Sequence, residues 1–189
     1  MRRSHTIGAL LAIHLGLLAG AANADQTDPR LGELFSQLQM ASSSAKASQL
    51  EAKIWSIWSE AGNADIDKVY QIGTQALALG DLTTALKIFD AIVAKAPNFA
   101  EGWNKRATAR YVAHDFAGAV EDCTETLARN PNHFGALSGQ GLCHMALGQY
   151  RQAAALFRRA LEVHPHLTAA NHNLATALQE AVRGNGHGP

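Results

Sequence analysis

Cysteine is nearly missing from this chain: Cys123 and Cys143 are the only two. Neither stands near the N-terminus to carry a lipid anchor, and neither lies beside the histidine-rich stretch to complete a metal set. Net charge is missing as well, since 16 Lys and Arg balance 16 Asp and Glu. No basic stripe can release counterions from phosphates, so nucleic acid and anionic membrane are excluded as main ligands. Catalytic signatures are absent too. There is no GxSxG elbow, no HExxH helix and no phosphate-cradling glycine loop, so a non-enzymatic protein without cofactors is expected.

Long apolar runs are confined to the first 24 residues. Arg2 and Arg3 give a positive start, Ile7 to Gly20 is apolar apart from His14, and Ala22-Asn23-Ala24 offers a small-x-small cleavage site before Asp25. The run is short for a membrane span and no second apolar stretch follows, so residues 1–24 are expected to be a cleaved export signal, with no stable membrane insertion afterwards. Ser4-His5-Thr6 lack the hydrophobic pair of a twin-arginine motif. Without these residues the chain has 165 residues and a formal charge near −2. That suits one elongated domain in the periplasm.

What the chain does contain is a repeat. Pro97, Pro131 and Pro165 stand 34 residues apart, and their surroundings repeat in register. Small residues recur at Gly73, Ala107 and Gly141, and at Ala85, Ala119 and Ala153, where paired helices must approach closely. Bulky residues recur at Val69, Trp103 and Leu137, at Leu82, Phe116 and Tyr150, at Phe89, Cys123 and Phe157, and at Val93, Leu127 and Leu161. Gly80-Asp81, His114-Asp115 and Gly148-Gln149 mark the turns within each unit, with Asp81 and Asp115 suited to cap a helix. Asn98 and Glu101 have the spacing of a capping box.

These columns resemble the tetratricopeptide repeat (TPR) family, whose helix–turn–helix unit has this length and this order of small, aromatic and proline positions. The resemblance spans three contiguous units, 66–99, 100–133 and 134–167, within a repeat region taken as 65–167. It implies an all-α, right-handed helical-repeat solenoid. Arg106 and Gln140 depart from it, replacing the apolar type of Ile72 in their column, and are read as long stems covering apolar surface with polar ends in water.

Residues 25–64 are expected to form an N-terminal helical hairpin. Leu31, Leu34, Phe35 and Leu38 share one helical face, Ser42 to Ser44 form a turn, and Leu50, Ile54, Ile57, Trp58 and Ala61 mark a second helix. Trp55 precedes Phe89 by one period, which suggests a degenerate repeat capping the exposed end of the array. The string IWSIWSEAGN resembles small exported TPR proteins of alphaproteobacteria. Trp55 and Trp58 are read as packing residues, with a ligand platform as the alternative. Residues 168–183 continue the phase as a solvating C-terminal helix, and 184–189 are expected to be a disordered tail.

The resemblance also places the binding surface on the inward side of each unit's first helix. That implies Tyr70 and Thr74, then Asn104, Lys105, Thr108 and Tyr111, then Ser138, Leu142 and Met145, and finally His172 and Asn173, as contacts for a protein or peptide partner of unknown identity. The places of a chaperone-tail carboxylate clamp hold Tyr70, Thr74, Lys105, Gly135 and Gly139; one cation cannot grip paired carboxylates, so that subtype is rejected. His164, His166 and His172 are the metal alternative. Cys123 and Cys143 face across a repeat junction and are left open between a disulfide and simple packing. The expected role is an exported interaction module, with a self-associating envelope subunit and a metal-linked or redox factor as rivals.

Overall fold

The computed structural model describes residues 28–185. The expected signal, its cleavage site and residues 186–189 lie outside the described residues. Among those described there are nine helices and no strand: α1 Arg30–Gln39, α2 Ser44–Trp58, α3 Ala64–Ala78, α4 Leu82–Lys95, α5 Ala100–Val112, α6 Phe116–Arg129, α7 Phe134–Ala146, α8 Tyr150–Val163 and α9 Thr168–Asn185. No helix among them is long and apolar enough to cross a membrane.

Short polar side chains start the helices as their chemistry requires. Ser43 accepts from Lys46 N, Asn63 from Asp65 N and Ile66 N, Asp81 from Thr84 N, and Asp115 from Gly118 N. The turns inside the units need a left-handed residue at one fixed place, filled by Gly80 (φ +77°), His114 (φ +63°) and Gly148 (φ +70°). The N-cap of α5 is not Asn98. Phe99 occupies the N-cap of α5 without a side-chain bond, and Glu101 turns into the interior instead.

Three helix pairs, α3/α4, α5/α6 and α7/α8, stack in sequence, and α9 packs on α8. A Cβ at Gly73 would come within 2.7 Å of Ile88, and one at Gly141 within 2.7 Å of Phe157, which is the reason those columns are small. Arg106 does more than cover apolar surface. Its guanidinium bonds Asp122 of α6 at 2.6 and 2.9 Å and Asp90 of α4 at 2.8 Å, tying three helices together. Gln140 likewise donates to Thr124 Oγ1 of α6 at 2.9 Å. The last helix runs to Asn185, two residues beyond the expected end of the cap.

The N-terminal hairpin does not cap the array. Helix α2 does not stack on α3 as α4 stacks on α5; α1 and α2 fold across the inward side of the repeats. Their core of Leu31, Leu38, Leu50, Ile54, Ile57 and Trp58 closes over Phe134 at the start of α7. Trp58 stacks on His133 with ring centroids 4.1 Å apart and planes 16° apart. The far end is pinned by Glu51 with His164 Nε2 (3.3 Å), by His166 Nε2–H donating to Ala41 O (2.7 Å), and by Gln39 donating to Glu162 O (3.2 Å). In consequence Val69 and Ile72 on α3, the face a preceding repeat would cover, remain 36% and 48% exposed.

Candidate functional site in the concave groove

The centre of the groove is a buried polar cluster built on Glu101, only 1% exposed. Tyr70 Oη donates to its Oε1 at 3.2 Å, and Asn104 Nδ2 and His133 Nε2 both reach Oε2 at 2.9 Å. Lys105 Nζ lies 3.3 Å from Oε1. His133 Nδ1 accepts the Ala136 N–H and caps α7, so the ring proton sits on Nε2 and is donated to the carboxylate. Burial alone would push the Glu101 carboxyl upward, but the bonds from His133 and Asn104 and the Lys105 charge outweigh it, and the carboxyl is held below its ordinary range. Burial, then the neighbouring Glu101 charge, drives the Tyr70 hydroxyl far above its usual value.

The hairpin meets this cluster at His133, stacked on Trp58, and at Lys105, beside Trp55. Tyr70 and Asn104 were expected on an open surface, yet they are 2% and 7% exposed and their donors are engaged by Glu101. Lys105 is half-buried, bridging to Glu101 with its ammonium 5.6 Å from the Trp55 ring centroid. Trp55 presses on α7 where a Cβ at Gly135 would come within 2.6 Å of its ring, so an amino acid with any side chain there would push the indole out of its place. Trp55 and Trp58 are thus packing residues, and what they pack against is the groove.

The remainder of the groove is open. Thr108 and His172 are exposed, and Thr74, Tyr111, Ser138, Leu142, Met145 and Asn173 are half-buried. The hydroxyls of Thr74 and Ser138 are sheltered and make no hydrogen bond among the described residues. Thr108, Tyr111 and Leu142 meet at a cleft of about 120 Å³, which Asn104, Ala107, Gly135, Gly139, Cys123 and Cys143 complete. Thr74, Met145, His172 and Asn173 do not line it. Cys123 and Cys143 are free thiols rather than a disulfide. Desolvation pushes the Cys143 thiol up to about 11 and the Cys123 thiol higher still. The proposed metal histidines do not converge, because His164 and His166 bond the hairpin.

Glu101 and His133 as a buried pair escaped the sequence reading. One signal was present: His133 interrupts a column that otherwise holds Phe99 and Leu167. A polar residue in a core column needs a buried partner, and an inward-facing acid supplies it.

The chain belongs to the tetratricopeptide repeat family. The family profile matches three overlapping stretches, residues 70–134, 104–166 and 138–183. A TPR repeat-containing protein of Rhizobium etli is 31% identical over 156 residues, covering 82% of this chain and 76% of the relative. Among solved structures, the first TPR domain of Spaghetti (RPAP3), bound to the HSP90 peptide SRMEEVD, superposes with TM-score 0.61 at 23% identity, covering 62% of this chain and 93% of that one. MamA protein superposes with TM-score 0.59 at 14% identity over 83% of this chain and 79% of its own. At these identities the structural matches speak to the fold.

Proposed function

We propose that this protein is a non-enzymatic adaptor that holds an extended segment of a partner protein in the C-terminal part of its concave groove. One observation carries the reading: Trp55 of α2 packs against Lys105 and Gly135, while Thr108, Tyr111 and Leu142 line a formed cleft beside it. The HSP90 peptide bound to the RPAP3 domain supports a peptide-binding role for a chain of this fold. An acidic chaperone tail is not the partner in this reading, because Gly135 and Gly139 offer no cation and Lys105 already bridges to Glu101. Export rests on residues 1–24, and places the adaptor in the periplasm after cleavage behind Ala24.

Crosslinked co-purification from the native periplasm tests both parts. Tyr111→Ala combined with Thr108→Arg is expected to weaken partner capture by about 1–3 kcal/mol with helicity unchanged; undiminished capture would refute the groove. The purified protein is expected to have the mass of a chain starting at Asp25. A mass that retains Met1 would refute export with cleavage.

A further inference from the structure

Trp55 shows what this groove accepts. Its indole lies on the bare backbone of Gly135, an apolar side chain pressed where α7 has none of its own. Gly139 is one helical turn further along the same face, and the nearest atom to a Cβ placed there is Cys123 Sγ, at 3.7 Å. The α2 interface therefore continues directly into the cleft between α5, α6 and α7. We propose that this cleft receives a single aliphatic or thioether side chain (Leu, Ile, Val or Met) from an extended, uncharged stretch of the partner. The inference rests on the groove reading above and adds the chemistry of its occupant.

Size and charge both support this. The cleft is about 120 Å³, below the ~150 Å³ of an apolar cavity that takes up benzene, so it fits an aliphatic side chain better than an aromatic ring. Its walls are Ala107, Gly139 and Leu142 with two thiols that burial keeps protonated at neutral pH. Two of the polar neighbours are already engaged: Asn104 donates to Glu101, and the Thr108 hydroxyl donates to Asn104 O. Nothing lining the cleft carries a charge to meet a carboxylate or an ammonium, and desolvating either there would oppose binding.

The test is selection of a displayed random heptapeptide library on the full chain, followed by synthesis of enriched sequences and anisotropy titration against the chain, Gly139→Leu and Tyr111→Ala. Gly139→Leu fills the cleft, and its Cβ meets only an ordinary van der Waals distance at Cys123. The expected result is a shared Leu, Ile, Val or Met without flanking charge, with affinity falling about tenfold or more in Gly139→Leu. Replacing that peptide residue by Ala should give a similar loss, which keeps the test decisive if Gly139→Leu fails to fold. Peptides that are acidic, or that tolerate both changes while weakening in Tyr111→Ala, would overturn the cleft assignment and leave the groove reading standing. No enrichment, or binding indifferent to all three changes, would overturn both.

Discussion

Because Trp58 of α2 stacks on His133 at the start of α7, the two are energetically coupled although they belong to different elements of the chain. Trp58 is 1% exposed. A buried indole removes roughly 200 Å² from water, worth about 5 kcal/mol at ~25 cal/mol per Å², so Trp58→Ala should cost about 3–5 kcal/mol. His133→Ala loses the bond to the Glu101 carboxylate, about 1.5–3 kcal/mol, and the α7 cap, about 1 kcal/mol. Both of those losses occur with or without Trp58, so they cancel in a double-mutant cycle. What survives is the stacked ring contact at 4.1 Å, expected to appear as about 0.5–1.5 kcal/mol of coupling. Urea unfolding of the four proteins, followed by circular dichroism, reads this directly. A hairpin capping the array at α3 would leave the two residues far apart, so additivity within about 0.5 kcal/mol would refute the groove-filling arrangement.

Glu101→Gln should cost about 1–3 kcal/mol by weakening charge-assisted bonds to His133 and Lys105. It should also change the acid limb. The Glu101 carboxyl is held below its unfolded value, so its contribution is fully present above about pH 4.5 and is lost as the pH falls through the folded value. Melting curves between pH 3 and 7 should therefore converge at low pH for the two proteins; a constant gap would count against the cluster. Ala119 is fully buried between α5 and α6, and Ala119→Leu should lower stability by about 1–3 kcal/mol through overpacking. An unchanged melting temperature would contradict the repeat register.

The repeat itself was legible in the sequence because its causes are local and recur three times. The small residues at Gly73, Ala107 and Gly141, the prolines after each second helix and the turn residues Gly80, His114 and Gly148 each satisfy a requirement of one helix or one helix pair. Tertiary structure alone placed the hairpin. The amphipathic pattern of α1 and α2 states that an apolar face must be buried, and is silent on which surface buries it. An end cap on α3 and a filler in the groove satisfy the same periodicity. The choice depends on Gly135 making room for Trp55, on His133 offering Trp58 a flat face, and on Glu51 and Ala41 meeting His164 and His166. Tertiary contacts also decided the site. Tyr70 and Asn104 have the positions of partner-facing residues, but exposure depends on what surrounds a side chain, and both are turned into the buried cluster around Glu101. The sequence determined an all-α array and the residues that face inward along it; the packing of α2 on His133, Gly135 and Lys105 and the gathering of Tyr70, Asn104 and His133 around Glu101 decided which of those residues still meet solvent, because burial there comes from contacts between segments far apart in the chain.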